Sequence, residues 1–175
     1  MHLHIAYVKK KGVVSMVKRT VVLPQGRLLL SVRSGMLCQI RLAQADELFE
    51  DCDPVLDLAQ NQLLQYFAGE RQRFDLPVCV QGTAFERAVW QQLQKIPFGE
   101  IRTYGQIAAA LGNPMASRAV GSACARNPLL IVVPCHRVIA GSGKLTGFAA
   151  GMQMKTELLM LEGWHIRQER VYSTK

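Results

Sequence analysis

Apolar residues follow two different periods along this chain. Between Arg19 and Leu42 they form short runs broken by turn residues. The runs are Thr20-Val21-Val22-Leu23, Arg27-Leu28-Leu29-Leu30-Ser31-Val32 and Met36-Leu37-Cys38-Gln39-Ile40-Arg41-Leu42, separated by Pro24-Gln25-Gly26 and Ser34-Gly35. Runs of this length and composition, bounded by Pro, Gly and Ser, predict three strands. After an acidic stretch the period lengthens. Asp53-Pro54 opens a helix that carries Leu56, Ala59, Leu63, Leu64 and Phe67 at helical spacing and closes at Gly69. Nothing in this half points beyond a structural α+β domain.

Residues 74–82 read as a linker with a short strand. Thr83, with Glu86 three residues on, is a capping box. The helix it starts carries Phe85, Val89, Leu93 and Ile96 on one face and ends at Pro97-Phe98-Gly99. Thr103 caps a second helix, 106–111, stopped by Gly112-Asn113-Pro114, and a third runs from residue 115 or 116 to Arg126. Two short helices joined by a glycine-containing turn make a helix-turn-helix pattern, one that ordinary helical hairpins share. The third helix is mostly Ala, Ser and Gly, and Gly121 costs about 1 kcal/mol against alanine. Close packing on another helix explains this composition. Entry into a nucleic-acid groove with Arg118 projecting explains it equally well.

The 175 residues are 49% hydrophobic and 19% charged, which suits one compact domain or two small ones and excludes a disordered or fibrous chain. No apolar run reaches the roughly 18 residues of a membrane span, and no signal peptide is read at the start. Of the net charge of +8, residues 1–82 supply little, with 10 basic and 8 acidic groups. Residues 83–175 carry 11 basic and 5 acidic groups, so the basic excess lies in the second half. On its own that points only weakly to nucleic acid. Cys38, Cys52, Cys79, Cys124 and Cys135 are odd in number and contain no C-x-x-C pair. That argues against a disulfide framework and a cysteine-rich zinc site, and for a reducing, cytoplasmic setting. His2 and His4 lie in an expected tail, so no metal site is read.

Cys135 stands apart from the other four cysteines. It sits in Ile131-Val132-Val133-Pro134-Cys135-His136-Arg137-Val138-Ile139, with Asn127-Pro128 upstream. A thiol becomes a useful nucleophile only as thiolate, and a neighbouring base or cation promotes that. Most buried cysteines are inert, but an imidazole and a guanidinium inside an apolar run are rarely buried without a role. Adjacent strand residues face opposite ways. Cys135 and His136 therefore need a turn at Pro134 to cooperate.

These pieces together resemble the O6-alkylguanine-DNA alkyltransferases, also called methylated-DNA–protein-cysteine methyltransferases. The resemblance covers about Thr83 to Gly163. It runs through Phe85, Val89-Trp90, Leu93, Ile96-Pro97, Gly99, Thr103-Tyr104 and Ile107-Ala108 to Gly112-Asn113-Pro114 and Arg118-Ala119-Val120-Gly121. It continues through Arg126-Asn127-Pro128 and Pro134-Cys135-His136-Arg137-Val138-Ile139 to Thr146-Gly147-Phe148, Lys155, Leu158-Leu159 and Glu162-Gly163. The N-terminal half matches only in outline.

The fold class this implies is α+β: a small N-terminal α/β (RNase H-like) domain, then a mostly helical winged-helix alkyltransferase domain. The expected boundaries are 1–18 for a flexible tail, 19–78, 79–167 for the DNA-binding and alkyltransferase domain, and 168–175 for a C-terminal tail. The resemblance implies an irreversible, single-use transfer of an alkyl group from O6 of guanine in double-stranded DNA to Cys135, with O4 of thymine as a further substrate. His136 would be the base, acting through a water, with Glu162 orienting it. Asn127 would brace the turn, and Tyr104 would donate to the leaving base. Arg118, Thr103, Tyr104, Ala116, Ser117, Ala119, Gly121 and Arg126 would meet the DNA in the minor groove, Arg118 replacing a flipped nucleotide. Val138, Phe148 and Ala149 would form the base pocket. The protein would be a monomer, cooperative on DNA, without cofactor or metal.

Two positions depart from the family pattern. Phe148 stands where tyrosine is common. Ala150 stands where glycine is usual, and its methyl would narrow the pocket mouth in favour of methyl over benzyl adducts. The competing readings are a damage-recognition protein whose thiol does not accept the group, and a winged-helix regulator with a redox-sensing thiol.

Overall fold

The computed structural model describes residues 15–172. The expected tail up to residue 14 lies outside them, but Val17 and Lys18, counted with it, form the start of the first strand. The chain divides into two compact units between Gln81 and Gly82, three residues beyond the expected boundary.

The first unit holds β1 (Val17–Leu23), β2 (Gly26–Arg33) and β3 (Met36–Leu42) in an antiparallel sheet with β2 central, followed by α1 (Pro54–Phe67). Leu28, Leu29 and Leu30 are all fully buried. Successive strand residues face opposite ways, so both faces of β2 are covered. Asp53 caps α1 by accepting from Val55 and Leu56. The buried stripe is Leu56, Ala59, Leu63 and Tyr66. Leu64, expected on that face, is exposed; at one residue past Leu63 it sits about 100° further round the helix.

The second unit contains α2 (Ala84–Leu93), β4 (Arg102–Thr103), α3 (Tyr104–Ala110), α4 (Ser117–Ala125), β5 (Val138–Ile139), α5 (Gly151–Leu161), β6 (His165–Arg167) and β7 (Arg170–Tyr172). The Thr83–Glu86 capping box forms on α2. Its buried stripe is Glu86, Val89, Trp90 and Leu93, while Phe85, expected on that face, is largely exposed beside the cap. Thr103 and Gln106 make a second capping box, so α3 starts at Tyr104, two residues earlier than expected. Pro114 opens a 3₁₀ turn, Pro114–Ala116, that delays α4 to Ser117. The Trp90 indole Nε1–H donates to the Ala123 carbonyl at 2.9 Å and fastens α4 to α2.

The expected C-terminal tail is corrected. Residues 165–172 form an antiparallel hairpin, with Gln168 and Glu169 at positive φ in the turn. Its return strand bonds to the chain at Leu145 N–H→Glu169 O, 2.7 Å, and Val171 N–H→Gly143 O, 3.1 Å. Ile166 and Val171 pack on a small core of Ile139, Leu145 and Leu159. The hairpin thus holds the stretch that leads into residues 146–149.

Candidate active site

The segment from Asn127 to Ile139 is a tight buried turn. Val133 N–H donates to the Leu129 carbonyl at 2.9 Å, and Ile131 takes φ 73°, a strained value for a β-branched residue. The Asn127 amide donates to the Val133 carbonyl at 2.8 Å and to Cys135 Sγ at 3.0 Å, while its Oδ1 accepts from Leu129 N–H at 3.0 Å. Asn127 therefore both closes the turn and points a donor at the thiol. Cys135, His136 and Arg137 form one 3₁₀ turn that starts after Pro134, where a bend is expected.

Cys135 is almost fully buried, and burial pushes its thiol above the usual range. The Asn127 amide, the Lys155 charge and the backbone N–H groups at Cys135 and His136 oppose that rise. Burial wins in the free protein, and the resting sulfur keeps its proton.

His136 Nε2 lies 2.9 Å from Glu162 Oε1. Burial raises the Glu162 carboxyl, but the hydrogen bond from His136 and the bonds and charge of Arg137 outweigh it and hold it at about 2. Burial lowers the His136 pKa against the pull of Glu162, so the imidazole is neutral. A carboxylate accepts only, so Nε2 carries the hydrogen and the basic lone pair is on Nδ1. Arg137 lends its charge to this arrangement and not to the thiol. Its Nε donates to Glu162 Oε2 at 2.9 Å, its Nη2 to Oε1 at 2.8 Å and its Nη1 to the Ile96 carbonyl at 2.6 Å. Gly99 N–H adds a bond to Glu162 Oε2 at 3.2 Å. Gly99 has φ 75°, and a Cβ there would sit 3.3 Å from the Glu162 carbonyl.

The cation near the sulfur is Lys155, whose site role sequence reasoning missed. It is fully buried, and its Nζ donates to the Val138 carbonyl at 2.6 Å and the Thr146 carbonyl at 3.0 Å. Burial brings its pKa down to about 8, with Cys135 and Cys124 opposing. The available signal was one lysine next to Met154 within the apolar pattern of residues 152–161.

An open cavity of about 580 Å³ is lined by Tyr104, Ser117, Arg118, Gly121, Phe148 and Ala149 among others. Parallel pairing of β4 with β5, Thr103 opposite Ile139, sets the start of α3 beside the Cys135 turn. Burial raises the Tyr104 phenol, the Thr146 hydroxyl opposes this, and Cys124 and Cys135 add to the rise. Tyr104 therefore remains a proton donor. The Phe148 ring stands edge-on to His136, with centroids 6.4 Å apart.

The remaining expected residues lie off this wall. Val138 is fully buried with its carbonyl taken by Lys155. Thr103 is occupied as a helix cap. Arg126 Nε donates to Glu86 and its Nη1 to Ser122 Oγ at 2.8 Å. Ala119 is exposed on α4 and Ala116 is half-buried. Ala150 is buried before α5 and forms no part of the cavity wall, so its methyl does not narrow the mouth as expected. Among the described residues no cluster of three or more His, Cys, Asp or Glu could hold a metal ion.

Residues 84–164 match the family described as 6-O-methylguanine DNA methyltransferase, DNA binding domain. A methylated-DNA–protein-cysteine methyltransferase of Mycolicibacterium paratuberculosis is 46% identical in a 154-residue alignment that covers 84% of this chain and 92% of that one. This chain belongs to the methylated-DNA–protein-cysteine methyltransferase family. A second methyltransferase of the family, from Methanosarcina acetivorans, is 57% identical over 105 residues, 60% of this chain and 67% of its own length. The crystal structure of Mycobacterium tuberculosis OGT in complex with DNA superposes with a TM-score of 0.76 and 43% identity, covering 83% of this chain and 91% of that one. Family membership makes the chain a DNA-binding methyltransferase that acts in repair. It also gives the buried Cys135 cluster and the open cavity a common context. Among the described residues no helix is long and apolar enough to cross a membrane.

Proposed function

We propose that this protein repairs O6-alkylguanine in duplex DNA by moving the alkyl group onto Cys135, once per molecule. The observation that carries this reading is a thiol held by Asn127 beside a neutral His136 that Glu162 and Arg137 lock in one tautomer. His136 Nδ1 takes the thiol proton through a water. The Cys135 thiolate then attacks the alkyl carbon, the carbon–O6 bond breaks, and Tyr104 supplies a proton to the departing guanine. The new thioether does not hydrolyse, so the protein is consumed.

A cysteine with 3% exposure cannot reach a base stacked in a duplex, so the nucleotide must be flipped into the cavity. We read the second unit as a winged-helix domain with α3 and α4 as its helix-turn-helix, and the first as an RNase H-like domain. Helix α4 enters the minor groove with its small residues, and the exposed Arg118 fills the gap left by the base. The DNA complex of the Mycobacterium tuberculosis relative supports DNA as the partner. O4-methylthymine is read as a secondary substrate, the cytoplasm as the setting, and the working form as a monomer that binds DNA cooperatively.

The test is intact mass after incubation with duplex DNA containing O6-methylguanine. The expected result is one methyl group mapped to Cys135. Binding without any adduct under saturating substrate would overturn transfer and leave a damage-recognition protein.

A further inference from the structure

We propose that Cys38 and Cys79 form a dithiol site that reacts with a small-molecule disulfide, such as oxidised glutathione, and closes to an intramolecular bond. The sheet order leaves one edge of β3 without a strand partner. On that edge Leu37 N–H donates to the Pro77 carbonyl at 2.8 Å and the Leu37 carbonyl accepts from Cys79 N–H at 3.0 Å, an isolated parallel bridge between Leu37 and Val78. Residues level with each other on parallel strands share a face. Leu37 and Val78 are both buried in the core. The next residues, Cys38 and Cys79, are neighbours across the same gap, where a β-bulge makes Cys38 the extra residue of β3 opposite Ser31 and Val32, and both are half-buried.

Adjacent strands lie about 4.8 Å apart, which falls within the Cα range that a disulfide bridges. Burial raises the Cys38 thiol, the neighbouring Cys79 adds to the rise, and Arg33 opposes it. Cys38 Sγ donates to the Met36 carbonyl of its own strand at 3.3 Å, a contact that the new bond would replace. Of the other cysteines, Cys52 is exposed, and Cys124 and Cys135 are buried in the second unit.

The chemistry balances without a further reagent. One thiolate of the pair attacks a sulfur of the small disulfide, forming a mixed disulfide and releasing one thiol. The other cysteine then displaces the second thiol and makes the Cys38–Cys79 bond. Two protein thiols are oxidised and one small disulfide is reduced to two thiols. The bond fastens residues 77–79 to an edge strand that they otherwise hold by two hydrogen bonds.

The full-length protein is incubated with oxidised glutathione, quenched with acid, alkylated and digested without reductant. The expected result is a Cys38–Cys79 cross-linked peptide, lost on dithiothreitol treatment, with a higher Tm for the oxidised form. In Cys79→Ser the cross-link disappears and Cys38 carries glutathione. The proposal is overturned if wild-type Cys38 and Cys79 both remain alkylatable, if each ends carrying its own glutathione, or if either pairs with Cys52.

Discussion

Replacing Glu162 by glutamine tests the arrangement behind Cys135 most directly. The Glu162 side chain is fully buried and is bonded by His136, Arg137 and Gly99. Holding its carboxyl at about 2 instead of 4.5 means that the fold favours the charged form by about 3 kcal/mol. Removing one partner of a buried ion pair destabilises by about 3–5 kcal/mol, the same scale. Glu162→Gln is therefore expected to lose about 3 kcal/mol in urea unfolding. It should also slow single-turnover methyl transfer by about 10²–10⁴, the usual contribution of general acid–base catalysis. Stability alone could lower the rate, so the double variant Glu162→Gln with Arg137→Met separates the two effects. It removes the guanidinium left unpaired and should regain part of the stability, but it restores no carboxylate to hold His136 Nε2–H. Wild-type transfer rates in the double variant would refute the role given to Glu162.

Acidification gives an independent check. Glu162 has a depressed pKa, so its contribution to stability is present above about 4.5 and is lost as the pH falls toward 2. The His136 pKa is lowered by burial, so stability falls as the unfolded state takes up a proton below about 6.5. Transfer should stay fast just below that pH, because the folded imidazole is still neutral; a loss of single-turnover rate centred near 6.5 would contradict this. Asn127→Ala leaves the Leu129 N–H and Val133 carbonyl without their partner, at about 1–3 kcal/mol each. It should unfold at lower urea and transfer more slowly. Arg118→Ala changes an exposed side chain, so stability should move by less than about 0.5 kcal/mol. Its transfer from duplex DNA should fall while transfer from the free O6-methylguanine base is unchanged, and equal losses on both would reject a flipping role.

The sequence revealed most where the deciding contacts are local. Both capping boxes lie within four residues, and the chemistry that makes them is written there. Cys135 and His136 are adjacent, so their pairing is legible from the chain itself, while the place of Asn127 came from the family resemblance. Arg137 was not legible in the same way. Its partner is 25 residues away, and only the fold shows that it faces the carboxylate and not the thiol. Lys155 was hidden because a lone lysine on a helix is ordinarily solvated, whereas here two backbone carbonyls satisfy its ammonium inside the core. The C-terminal hairpin is short, alternates polar with apolar residues, and depends on a non-local pairing with Gly143 and Leu145. Phe85 and Leu64 were assigned to buried faces because an apolar residue one position off the true stripe still fits a loose helical period.

The raised thiol of Cys135 looks at first like an obstacle to a nucleophile, but it suits a protein that can react only once. An acidic, exposed thiolate would be open to oxidation and to stray alkylating agents, and each such event would destroy a molecule. Here burial keeps the proton on the sulfur, while the groups that favour ionisation are already in place around it: the Asn127 amide, the Lys155 ammonium and the backbone N–H groups. A modest change at the sulfur is then enough to ionise it, provided that a base and an alkyl carbon arrive together. In the proposed mechanism the neutral His136 would supply the first, and a nucleotide flipped into the cavity beside Tyr104 and Phe148 would supply the second. On that proposal, reactivity is tied to occupancy of the cavity. Free protein should accordingly react slowly with iodoacetamide at Cys135 and faster at the exposed Cys52, as peptide mapping after brief alkylation would read directly.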